Sequence, residues 1–110
     1  MKLVTFGPGR EIRQHGSRGA TIAGIARASG DVGVALLRLD AGGVLGRHPA
    51  VGPQLFLVVA GEGRVEGGDE ERRPIVAGTA AFWEDGELHE TTTETGLTAV
   101  IVEAASLELL

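Results

Sequence analysis

Glycine decides first what this chain can become. Eighteen of the 110 residues are glycine and four are proline, and together they cut the sequence into apolar runs too short for ordinary helices. Helical periodicity is hard to find, whereas residues 32–39, 54–60, 74–76, 80–83, 89–92 and 97–103 are apolar, β-branched or Thr-rich and read as strands. Asp40-Ala41-Gly42-Gly43 supplies a corner, because Asp bonds its own backbone and Gly accepts positive φ. Gly61-Glu62-Gly63 predicts a tight hairpin, with Arg64-Val65-Glu66 pairing back. Residues 67–73, with mixed charges, read as a solvated hairpin tip. Eight to ten short strands without crossover helices predict an all-β domain closed as a barrel or a two-sheet jelly roll, which protects its edges. Residues 104–110 are open between a last edge strand, a short helix and a dimer contact.

A chain of this length fits one domain over residues 1–110 and buries roughly two-thirds of its unfolded surface. With 43% hydrophobic and 23% charged residues, it lacks the signature of disorder. The net charge is −5 and no basic cluster exceeds Arg72-Arg73, so the footprint needed by phosphate backbones is missing and nucleic acid is excluded as a partner. The first apolar stretch is broken too early for a signal-peptide core, and no apolar run reaches membrane-spanning length. A cytoplasmic protein without membrane contact is therefore the expectation. Cysteine is absent, which removes disulfides, thiolate metal sites and cysteine nucleophiles. Histidine and carboxylate chemistry remain.

Histidine occurs only at positions 15, 48 and 89. Two of the three stand inside glycine frames. The first frame runs Gly42, five residues, His48, Pro49, Ala50, three residues, Gln54, six residues, Gly61; the second runs Gly78, five residues, Glu84, Asp85, Gly86, two residues, His89. These frames resemble the two motifs of the cupins, over about residues 32–103. The resemblance implies a cupin-type β-barrel, or double-stranded β-helix, with inward residues that bind one divalent metal such as iron, manganese, nickel or zinc.

By that resemblance His48 and His89 occupy metal-ligand positions, Gln54 stands where the family has a glutamate, and Ala50 where it has a second histidine. Ala50 shares the strand face of His48 and ligates nothing. Gln54 still offers an amide oxygen, but a neutral one that compensates no charge. A metal so held keeps open positions for a small oxygen-rich ligand. Phe56 and Trp83, with Phe82, are expected as core and pocket wall, and Glu87 as a pocket residue sharing the parity of His89. Glu87 and His15 are the available general bases.

Two functions follow from this set. One is a metal-dependent enzyme of dioxygenase or isomerase type; the other is a metal-free barrel that binds a small molecule without turnover. Unpartnered buried imidazoles cost about 1–3 kcal/mol each, so metal, water or ligand is expected between them. By resemblance to small cupins, the chain is expected to form a homodimer.

Overall fold

One long strand organises the molecule, and everything that positions the site hangs on it. The computed structural model describes residues 1–110 and contains ten strands: β1 (Lys2–Thr5), β2 (Arg10–Ile12), β3 (Ala20–Ile22), β4 (Ala26–Leu39), β5 (Val44–Pro49), β6 (Gln54–Glu66), β7 (Arg72–Val76), β8 (Thr79–Trp83), β9 (Leu88–Thr92) and β10 (Leu97–Leu109). A single 3-10 turn at Gln14–Gly16 separates β2 from β3, and those two strands pair only with each other. No helix is long and apolar enough to cross a membrane.

The first half of β6 lies between β10 and β8, in a sheet ordered β1-β8-β6-β10-β4. Its second half leaves that sheet to pair with β7 on one side and β9 on the other, and β9 pairs in turn with β5. All pairings are antiparallel. The expected hairpin at Gly61-Glu62-Gly63 is therefore incorrect: these residues lie within a continuous strand and form the corner where it passes from one sheet to the other. The glycines are needed for close approach rather than reversal. Gly61 has φ +78°, and a Cβ there would run into the carbonyl of Gly96; a Cβ on Gly63 would run into the carbonyl of Thr92. A register shift between Thr98 and Ala99 accompanies the bend, as bulges do at barrel corners.

Other expected strands are present with longer ends. The strand expected at 32–39 begins at Ala26, and residues 104–109 continue β10, pairing with β4 through Leu109 opposite Ala26. Beyond Glu103, β10 has no partner on the β6 side, so this part of the β4–β10 ribbon is two strands wide. Of the 67–73 segment, residues 67–71 form the β6–β7 connection and Arg72 and Arg73 open β7; Arg73 laces the connection through Asp69 and Glu71, exposed pairs of small energetic value.

Period-2 alternation assigns the faces. Phe56 and Val58 of β6, Ala81 and Trp83 of β8, and Leu97 and Ala99 of β10 point into one core with Val65, Ile75 and Ala50. Each fully buried large side chain contributes about 1.5–3 kcal/mol through apolar burial. Gln54 has the parity of Phe56, and Glu103 that of Ala99, so both belong to the inner face at its open end.

Candidate metal centre

His48 and His89 are brought together by strand register. They are Cα partners in the β5–β9 ladder, and their ring centroids lie 4.3 Å apart at 56°. A register shift between Leu45 and His48 is what returns His48 to the face of His89 and Thr91. His89 is 1% exposed; His48 is half-buried and forms the side open to solvent.

Each imidazole is oriented by the same device. His48 Nδ1 lies 2.6 Å from the carbonyl oxygen of Gly46, and His89 Nδ1 lies 3.1 Å from that of Glu87. A carbonyl only accepts, so both Nδ1 atoms carry a proton, and in a neutral ring so held Nε2 presents the lone pair. The Nε2 of His89 is buried without a hydrogen-bond partner. Burial pushes the pKa of His89 below the ordinary imidazole value, helped by the adjacent His48, and outweighs the opposing pulls of the Glu87 carbonyl and the Glu87 and Glu103 carboxylates. The ring is therefore neutral at neutral pH, the form that ligates metals.

Trp83 closes the inner side. Its ring stacks on His89 at 4.2 Å and 22° and meets Phe56 edge-on at 5.6 Å. Trp83 is also the Cα partner of Gln54, and Gln54 the Cα partner of Glu103. Glu103, Gln54 and Trp83 thus form a cross-strand row over β10, β6 and β8, with the imidazoles packed beyond the indole. Gln54 is 3% exposed, and its Nε2 donates to Glu103 Oε1 at 2.7 Å. Trp83 Nε1 and Thr91 Oγ1 are two further buried polar atoms without partners.

Several sequence expectations change here. Glu87 is no free base: its Oε2 accepts from the N-terminal ammonium at 2.8 Å and from the Gly68 amide at 2.9 Å, and its Oε1 from the Glu84 amide at 3.1 Å. Burial would raise its pKa, but these donors together hold it below the usual carboxylate range. Its carboxylate clamps the N-terminus to two loops. His15 is exposed on the β2–β3 connection. Ala50 is 3% exposed and packs in the core. Glu103 was absent from the expected set. Its signal was parity with Leu97, Ala99 and Ile101, which makes it a carboxylate on the inward face of an apolar strand.

Two imidazole nitrogens, each ring fixed through its other nitrogen, are donors of the kind that divalent cations take. No group of three or more His, Cys, Asp or Glu side chains is placed to hold a metal. A separate surface concavity of about 580 Å³ lies elsewhere. It is an open groove lined by polar residues including Arg64, Arg72 and Thr92, and it lacks the apolar walls of a small-molecule site. The imidazole pair is the better candidate on chemistry.

Neither a protein-family model nor a curated protein matches the chain. Solved structures do. An uncharacterized conserved protein with a double-stranded β-helix domain from Klebsiella pneumoniae superposes with TM-score 0.63 at 22% identity, over 84% of this chain and 86% of that one. A Cupin 2 conserved barrel domain protein from Salinispora arenicola gives TM-score 0.59 at 18% identity, covering 64% and 60% of the two chains. The chain has a cupin-type fold. A predicted oxalate decarboxylase from Thermotoga maritima adds TM-score 0.58 at 28% identity, over 70% of this chain and 65% of that one. The match spans less than two-thirds of the Salinispora and Thermotoga chains.

Proposed function

We propose that this cupin holds a divalent cation between His48 and His89, with Gln54 as a third, neutral donor, and that the remaining positions bind a small oxygen-rich anion. The observation that carries the reading is the shared orientation of the imidazoles. Both spend Nδ1 on a backbone carbonyl, and the buried Nε2 of His89 is left without a partner. Such second-atom tethering is what metal-bound histidines use. None of these site residues carries a fixed positive charge, so the cation is what would attract an anion, through Lewis-acid chemistry at its vacant positions. The likeness to a predicted oxalate decarboxylase favours a small carboxylate as the ligand class, with turnover of isomerase or oxygenase type as the finer expectation.

A metal-free binding barrel is the second reading. It is favoured by Ala50, which replaces one donor with a buried methyl, and by the indole packed directly on His89. Elemental analysis of untagged protein against a His48→Ala, His89→Ala double variant separates the two. Near-stoichiometric metal that disappears in the variant supports the metal centre; no metal in either, even after incubation with iron, manganese, nickel or zinc, overturns it.

We further infer that the chain forms a homodimer through the sheet face turned away from the core. Val32, Val34 and Leu36 on β4 are 45%, 69% and 55% exposed, and opposite them on β10 stand Ala104, Val102 and Val100. A compact folded monomer of this length exposes about 5,800 Å²; this chain exposes 6,597 Å². The exposed apolar residues of this ribbon contribute to that excess.

A further inference from the structure

We propose that the far end of the β4–β10 ribbon, residues 26–31 with 105–109, is an arm whose apolar face is covered by a second copy of this chain. The inference rests on the homodimer reading above. Gly30 and Asp31 of β4 stand against Ala105 alone, a bulge at the root of the arm; beyond it register pairs Ser29 with Ser106, Ala28 with Leu107, Arg27 with Glu108 and Ala26 with Leu109. Directly opposed residues share a face and successive residues alternate. One face of the arm is therefore Ala26, Ala28, Leu107 and Leu109, and the other is Arg27, Ser29, Ser106 and Glu108. All four polar residues are exposed, as a solvent face requires.

The chain itself supplies no second layer for the apolar face. β10 has no strand on its β6 side beyond Glu103, β4 pairs only with β10, and β2 and β3 pair only with each other. None of the four apolar residues joins the core or packs against it. A two-stranded ribbon alone is marginal in water, and an apolar sheet face needs a layer over it. The arm also lengthens the molecule, which measures 46 × 34 × 21 Å with a radius of gyration of 14.6 Å, against about 13 Å for a compact domain of this length. A second copy is the layer that the position of the arm selects. The arm continues, on the same two strands, from the stripe of Val32, Val34 and Leu36. A two-fold axis through that stripe sets each arm against the other copy whichever way the strands run: along the partner's sheet if they are opposed, along the partner's arm if they run together. Two-stranded ribbons twist more strongly than wide sheets and a bulge adds to the twist, so the apolar face turns away from the direction of the barrel's inner face as the arm leaves it. By symmetry each copy gives one arm and receives one.

The test compares self-association when one face of the arm or the other is changed. Sedimentation velocity over a series of concentrations gives the dimer dissociation constant of wild type, of Leu107→Lys with Leu109→Lys, and of Ser29→Lys with Ser106→Lys as the polar-face control, with circular dichroism to record folding. The apolar-face pair is expected to raise the constant at least about tenfold, since it places unpaired charge in the contact, and the control by less than about threefold, as exposed charge does. A second measurement holds even where the lysine pair fails to fold. Leu107→p-benzoylphenylalanine, in a mixture of isotope-labelled and unlabelled chains, is irradiated, and cross-links that join a labelled chain to an unlabelled one are expected. An unchanged constant in the folded apolar-face pair, an equal loss in the control, or cross-links confined to one chain overturns the proposal. If wild type is monomeric, the homodimer reading fails and this inference falls with it; if Val34→Lys with Leu36→Lys dissociates the dimer and the arm pair does not, only this inference falls.

Discussion

His48 and His89 face each other across one ladder, 4.3 Å between ring centroids, and each bonds the carbonyl two residues before it in the chain. The two imidazoles are thus oriented independently by backbone, and neither depends on the other for its tautomer. Removing one should leave the other correctly posed but alone. We expect His48→Ala and His89→Ala each to weaken divalent-metal binding by at least about tenfold, since a ligand itself matters no less than its orienting partner. Competition titration with a chelating dye measures this, and unchanged affinity in either single variant would remove that histidine from the site.

The depressed pKa of His89 makes stability depend on pH. Burial disfavours its protonated form in the folded state, so between the ordinary value of 6.5 and the lower folded value the unfolded chain binds more protons. Stability contributed by the neutral ring is therefore complete above about pH 6.5 and falls as pH drops through that window. The groups acting on the ring are His48, which reinforces the shift, and Glu87 and Glu103, which oppose it. Urea unfolding of metal-free protein from pH 8 to pH 5 should show this loss, and His89→Gln should flatten it. An equal slope in the variant would assign the pH dependence to other groups.

Gly61 marks where reading the sequence and seeing the fold diverge. A Gly-Glu-Gly triplet is good hairpin chemistry locally, yet here it is a bend inside β6, because the closed barrel needs one strand to serve two sheets. That is a tertiary demand which local residue choice does not carry. Gly61→Ala should destabilise the protein by about 1–3 kcal/mol, as positive φ and the carbonyl of Gly96 both oppose a Cβ. Gly33→Ala, in β4 with nothing within 4 Å of its Cβ position, should be neutral or stabilise by up to about 1 kcal/mol. Thermal denaturation of both variants checks the pair, and equal melting temperatures would contradict the corner assignment.

The same contrast governs the site. His48 and His89 stood out because a rare residue type recurs in two glycine frames, and the fold sets the two rings side by side; Gln54 rests on the resemblance alone. The apolar and β-branched run at 97–103 was enough to place the first part of β10, and the apolar run at 54–60 was enough to place the first half of β6. Glu103 was not legible as a site residue, since its importance comes from cross-strand register with Gln54, a relation between segments about fifty residues apart. Glu87 misled for the opposite reason. Parity placed it near His89, but three donors from elsewhere in the fold consume its carboxylate.

The exposed face of β4 yields the last expectation. Val32, Val34 and Leu36 alternate with residues of the inner face, so they form one stripe along the sheet edge, and their neighbours Val102 and Val100 extend it across β10. A charge placed in the middle of a two-fold interface meets its own copy and must be desolvated next to it. Val34→Lys with Leu36→Lys should therefore convert a dimer to a monomer while leaving the core, which lies on the other face, intact. The measurement is molar mass by light scattering at several concentrations, with circular dichroism to establish folding. Wild type that is already monomeric would end the dimer proposal, and a double variant that stays dimeric would move the interface to another surface.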